Sequence, residues 1–187
     1  MTSALLVLDV QEGVMARYPA DEAYLGRLRE ALDAARAHEL TVIFVRVGFR
    51  AGFAEISKAN RMFSAIAARG GDGFLESAPG TQVVAALGRR DSEPVVVKKR
   101  VSAFAGSDLD VLLRSAGVDH LVLAGIATSG VVLSTVRDAA DRDYRLTVLE
   151  DGCLDSDAEV HAMLVGKIFR GQAEVMTIRD WVDALVP

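Results

Sequence analysis

Six short apolar runs recur along the chain, at residues 4–10, 41–47, 94–97, 118–124, 146–150 and 173–176, and stretches of helical composition separate them. Runs this short, apolar on both faces and rich in Val, Ile and Leu, are the mark of strands buried in a parallel sheet. Parallel neighbours need a crossover connection, and the intervening stretches supply it as right-handed helical crossovers. Helices are expected at 21–39, near 60–69, at 107–116, 131–142, 157–169 and 178–185, with a short helical turn at 81–87. Leu25, Leu28, Leu32 and Ala35 recur three or four apart and make one buried stripe, and Asp21 is placed to cap that helix. The alternation predicts a three-layer α/β/α fold with a mostly parallel, roughly six-stranded sheet. The 187 residues suit a single domain over 1–187.

Charge and composition narrow the function. A net charge of −5 argues against nonspecific nucleic-acid binding, which needs a basic footprint. No apolar run reaches the roughly 18 residues of a membrane span, so no membrane partner is expected. The single cysteine, Cys153, rules out an intrachain disulfide. The N-terminal run lacks a basic region or cleavage site, and a soluble cytoplasmic protein is the expectation. There is no G-x-G-x-x-G after the first run and no P-loop, so no cofactor is expected. His38, His120 and His161 lack metal-ligand spacing, and no metal is expected.

In open parallel sheets, ligands bind beyond the carboxyl ends of the strands. Three stretches fall at such ends: Asp9, Lys98-Lys99, and the turn Gly125-Ile126-Ala127-Thr128-Ser129-Gly130. The turn joins a strand to a helix start, so N–H groups from Ile126 to Gly130 and the helix N-terminus can meet a developing oxyanion. Asp9 is an acid in an otherwise apolar run. It either caps local N–H groups through an Asx-turn or is paired, since an unpaired buried charge is costly. Lys98 is the candidate partner. At about 4 Å and an effective dielectric near 20, the pair would interact by roughly 4 kcal/mol before desolvation. Lys98 would hold Asp9 ionised and lower its pKa, which suits a base. A general acid near pH 7 would instead need its pKa raised by roughly 2–3 units. The long excursion after the second run, residues 48–73, reads as a binding loop. Arg46, Phe53, Asn60, Arg61 and Phe63 are its candidates for substrate contact, with the arginines suited to a carboxylate.

These stretches resemble a known family. Leu6-Val7-Leu8-Asp9-Val10-Gln11, the lysine motif Lys98…Ser102-Ala103-Phe104, and Gly125-Ile126-Ala127-Thr128 followed by Val132-Leu133-Ser134-Thr135-Val136-Arg137-Asp138-Ala139 are similar to isochorismatase-like hydrolases. The spacing to Phe104 selects Lys98 over Lys99. The resemblance implies the isochorismatase-like, Rossmann-type fold and homo-oligomers, dimer or tetramer. It also implies a small-molecule substrate, an Asp9–Lys98 catalytic pair, a non-proline cis peptide at Ile126–Ala127, and Gln11 and Phe104 beside the substrate.

The resemblance also places the family's nucleophilic cysteine at Val131, which cannot attack. Ser129 stands where the family often has Asn; Ser134 falls inside the following helix; Cys153 matches a nonnucleophilic cysteine. The implied function is hydrolysis of an amide or vinyl ether through Asp9 and Lys98 without a covalent intermediate. The alternative is a lapsed enzyme that binds a small ligand or serves as an oligomeric interaction partner. A nicotinamidase-type metal site has no counterpart after the second run.

Overall fold

The computed structural model describes residues 2–18 and 22–185. The cap assigned to Asp21 lies outside them.

Six parallel strands form one sheet: β1 (Ser3–Leu8), β2 (Thr41–Val47), β3 (Val95–Lys98), β4 (His120–Ile126), β5 (Arg145–Leu154) and β6 (Glu174–Met176). Their order is β3-β2-β1-β4-β5-β6. The helices are α1 (Glu12–Met15), α2 (Glu22–Ala37), α3 (Arg61–Gly70), α4 (Leu109–Ser115), α5 (Leu133–Ala140), α6 (Ala158–Met163) and α7 (Ile178–Leu185). The four-residue α1 was not expected; one turn is too short to carry an apolar period. The region 81–87 folds as 3₁₀ turns at Pro79–Thr81 and Ala85–Leu87. Two expected helices are less regular than periodicity suggests. The stretch 131–142 is a π-helical turn at Thr128–Val132 leading into α5, and 157–169 is α6 followed by a π-helical turn at Leu164–Ile168.

Both faces of the sheet are covered, which is why the strands read as continuous apolar runs. Leu5 and Val7 of β1 pack with Leu25, Leu28 and Leu32 of α2 and with Trp181 of α7. Leu6 and Leu8 point the other way, into a cluster with Leu109 and Leu113 of α4 and Val136 of α5. The period-2 alternation of a strand divides one apolar run between two cores.

The strand order reverses between β1 and β4, a switch point whose carboxyl-end crevice is where ligands bind in such sheets. Leu8 is in register with Gly125 there. A Cβ at Gly125 would lie 2.1 Å from the Leu8 carbonyl oxygen. Only glycine allows the two strands to approach this closely at φ +148°.

Candidate active site

Asp9 leaves β1 with φ +53°, a region Asp enters more readily than most residues. Its N–H donates to the Val45 carbonyl at 2.8 Å, and its carbonyl accepts from the Gln11 N–H at 2.9 Å. Its side chain is turned into the protein and is 7% exposed. Lys98, at the end of β3, is 2% exposed. It reaches past β2 to place Nζ 2.9 Å from Asp9 Oδ2 and donates to the Arg100 carbonyl at 3.0 Å. Asp9 Oδ1 is buried without a hydrogen-bond partner. An ionised carboxylate oxygen left this way costs its lost hydration, on the order of 1–3 kcal/mol or more.

Desolvation by burial pushes the Asp9 carboxyl above its ordinary range, against the pull of the Lys98 charge and hydrogen bond. Sequence reasoning expected the lysine to win and lower the pKa. It did not weigh how completely the carboxylate leaves water.

The turn after β4 forms the other side of the switch point. The Ile126–Ala127 peptide is cis. The Ala127 carbonyl accepts from the N–H groups of Gly130 at 3.1 Å and Val132 at 3.3 Å. The Ser129 N–H donates to Asp155 Oδ2 at 2.7 Å. The N–H groups of Ser129, Gly130 and Val132 are therefore engaged, whereas that of Ala127 has no partner among the described residues. The hydroxyl of the fully buried Thr128 is 2.8 Å from His161 Nδ1. Val131 is 2% exposed and belongs to the apolar cluster with Leu8, Val96, Ala103 and Leu109.

Asp155 was not singled out from the sequence, and His161 was weighed there only as a metal ligand. Both act on the backbone or on one hydroxyl, and Asp155 is not set apart from the acids around it, Glu150, Asp151, Asp157 and Glu159. Burial raises the Asp155 pKa, but its bonds from Ser129 and from the N–H groups of Asp157 and Ser156 outweigh this and hold it below the ordinary value.

The other expected contacts turn toward scaffold roles. Gln11 Nε2 donates to the carbonyls of Val47 at 2.9 Å and Thr81 at 3.0 Å, and its Oε1 accepts from the Val47 N–H at 2.9 Å. Arg46 donates to the Glu76 carbonyl at 3.1 Å and to Thr81, and its burial lowers its pKa. Asn60 caps α3, accepting from the Phe63 N–H at 3.0 Å. Phe53 and Phe63 pack on Phe49, with centroids 6.0 and 5.5 Å apart, and anchor the excursion. Phe104 stacks on Tyr144 and lies under the Arg142 guanidinium at 4.6 Å; Tyr144 precedes β5, at the end of the sheet away from Asp9. Lys99 is tied to the Gly48 carbonyl and to Glu76. Arg61 is exposed and lines a groove described below.

Cys153 is buried beside Gly125 in the β4–β5 ladder, and desolvation pushes its thiol up to about 12. It is inert packing. Among the described residues no three His, Cys, Asp or Glu side chains are grouped to hold a metal ion, and no helix is long and apolar enough to cross a membrane.

A doubly wound sheet with an acid–lysine pair and a strand-to-helix turn at its switch point defines a hydrolase-like α/β class. The chain belongs to the isochorismatase family: the isochorismatase domain model matches residues 3–180. It is 34% identical over 188 residues to the isochorismatase family protein YecD of Escherichia coli O157:H7, covering 98% of this chain and 96% of that protein. It is 30% identical over 176 residues to the ureidoacrylate amidohydrolase RutB of Stutzerimonas stutzeri, covering 80% and 68%. A solved isochorismatase family protein from Burkholderia thailandensis superposes with a TM-score of 0.84 at 28% identity, covering 100% of this chain and 96% of that one.

Proposed function

We propose that this protein hydrolyses a small molecule through Asp9 and Lys98 without a covalent enzyme intermediate, with Val131 standing where the family nucleophile would be. The observation that carries this reading is the buried Asp9–Lys98 pair with Oδ1 unpartnered. A buried carboxylate oxygen with no partner is one that a water or substrate can complete. Lys98 fixes Oδ2 and leaves Oδ1 to accept a proton from water. The water oxygen then adds to the substrate carbonyl, and the Ala127 N–H can stabilise the resulting oxyanion. The C–N bond breaks as Asp9 returns the proton to the leaving nitrogen. For a vinyl ether, Asp9 instead donates its proton to the vinyl carbon; water adds to the oxocarbenium ion and returns a proton to Asp9, and the resulting hemiketal breaks its C–O bond to release the alcohol and a carbonyl product. A carboxyl lifted toward neutral pH serves both steps better than an ordinary one. The amidohydrolase RutB makes C–N bonds the first substrate class to try. We read the working unit as a homo-oligomer, dimer or tetramer, for which sedimentation is the direct measure.

Turnover of an amide and vinyl-ether panel by wild type, Asp9→Asn and Lys98→Met tests the reading. Asp9→Asn is expected to lower kcat by about 100- to 10,000-fold with the fold intact by circular dichroism. For amides, where ionised Asp9 is the base, kcat/KM should rise with pH through a limb above the ordinary Asp range of about 4. Undiminished turnover in Asp9→Asn would sink the mechanism.

One observation favours a second reading, a lapsed enzyme that binds a ligand: Val131 is packed into the apolar core. Saturable binding of a panel compound without turnover would select it.

A further inference from the structure

The excursion after β2 and the segment after α1 enclose a groove of about 760 Å³ at the carboxyl end of the sheet. Arg17, Arg61 and Arg69 line it over an apolar surface of Met62, Ile66 and Phe74. Asp9, Lys98 and Val131 do not line it.

Many arginines elsewhere are neutralised locally: Arg27, Arg29, Arg36, Arg50, Arg114 and Arg142 each pair with an acid, whereas Arg46, Arg90, Arg100, Arg137 and Arg170 make no ion pair among the described residues but are not gathered on one surface. Arg17, Arg61 and Arg69 have neither an ion pair nor a side-chain hydrogen bond among the described residues; Arg17 only faces the Phe74 ring at 5.8 Å. No acidic side chain lines the groove. Of the two acids flanking Phe74 along the chain, Asp72 is exposed and Glu76 pairs with Lys99, and neither makes an ion pair with these arginines. Three uncompensated guanidinium groups thus share one concave surface in a chain of net charge −5. Like charges gathered this way repel, so the arrangement is relieved by an anion from outside. Met62, at 47% exposure, adds apolar surface in contact with water beside them. The volume falls in the range of small-molecule sites, roughly 300–1,000 Å³.

We propose that this groove binds a small organic anion bearing two or more acidic groups on an apolar body, with guanidinium groups gripping the acids and Met62, Ile66 and Phe74 covering the body. Guanidinium forks fit carboxylate and phosphate oxygens alike. The site stands apart from the hydrolytic reading, because binding here is measured without any chemistry at Asp9.

Isothermal titration calorimetry of the full chain with benzene-1,4-dicarboxylate tests it, with phenyl phosphate, inorganic phosphate and neutral benzene-1,4-dicarboxamide as further arms. The dicarboxylate or phenyl phosphate should bind and weaken with added salt, and the stronger of the two names the acid. Arg61→Gln/Arg69→Gln should lose roughly tenfold in affinity, from exposed charge pairs that each contribute a few-fold. Arg17→Gln should lose less, and Arg90→Gln, at the opposite end of the sheet before β3, should lose nothing. The proposal is overturned if the diamide binds as tightly as the diacid, if inorganic phosphate binds as well as phenyl phosphate, or if Arg90→Gln weakens binding equally. It is also overturned if neither organic anion binds, or if Arg61→Gln/Arg69→Gln changes the sedimenting mass instead of the affinity.

Discussion

Asp9 and Asp155 stand at the same end of the sheet, after β1 and β5, and the protein treats them oppositely. Asp9 is sunk beside one ammonium group with an oxygen left over, and burial raises its pKa. Asp155 receives the backbone N–H of Ser129 and that of Asp157, which favour its charge. A carboxylate whose lone pairs are filled by fixed donors serves the scaffold. One that is buried with an oxygen unfilled stores free energy that a substrate or water can release. The contrast extends to the chain around them. The β1 side keeps its charges, while the β4 turn between them has an apolar valine in the core.

The sharpest way to break this comparison is to remove Lys98. Lys98→Met should cost about 3–5 kcal/mol in urea unfolding at neutral pH, because Asp9 is left buried and unpaired. Asp9→Asn/Lys98→Met should recover most of that loss; if the double variant is no better than the single one, the pair is not the coupled unit described here. The sign of the pH dependence adds a check. The native pKa of Asp9 is raised, so the native state holds the proton longer than the unfolded chain. Its contribution to stability falls as pH rises from about 4 through the native pKa, and Asp9→Asn should flatten that slope.

A smaller effect is expected at Asp155. Asp155→Ala should lose about 1 kcal/mol, the usual net worth of such a bond at a part-exposed site. With a lowered native pKa, the stabilisation is present above the unfolded value and disappears as pH falls through the native one. The gap between wild type and Asp155→Ala in unfolding free energy should therefore close below about pH 4. A gap unchanged by acid would mean that the charge of Asp155 is not what holds the turn.

The smallest effect concerns thiols. Val131→Cys is close in volume and should cost less than about 1.5 kcal/mol. Its thiol and that of Cys153 should both resist iodoacetamide in the native protein, since both positions are buried. Rapid alkylation at position 131 alone would show that the turn opens to solvent and would weaken the contrast between the two sides.

Much of this arrangement is legible from residue order. Apolar runs separated by helical stripes give a parallel sheet, and an acid ending the first run invites a basic partner at the end of another. The turn with glycines at both ends marks the switch point. Harder to read are residues whose partners are backbone groups. Nothing in the sequence distinguishes Gln11 as a clamp on Val47 and Thr81 from Gln11 as a substrate contact, because a carbonyl leaves no trace in residue identity. Arg46 and Asn60 are hidden for the same reason. The balance at Asp9 was misjudged because desolvation depends on how many chain segments close over a group, which no local spacing reports.

Gln11 carries one more consequence. Its single carboxamide joins the end of β2 to the 3₁₀ turn at Pro79–Thr81, so the long excursion that leaves at Gly48 is tied off at its base. In polymer terms the excursion is a closed loop, and most of the entropy of closing it is lost at that clamp rather than along its length. The segment carrying Arg61 and Arg69 can therefore rearrange around a ligand without disturbing the strand ends that hold Asp9 and Lys98. In hydrogen exchange this would leave the Val47 amide protected long after those of residues 50–60 have exchanged.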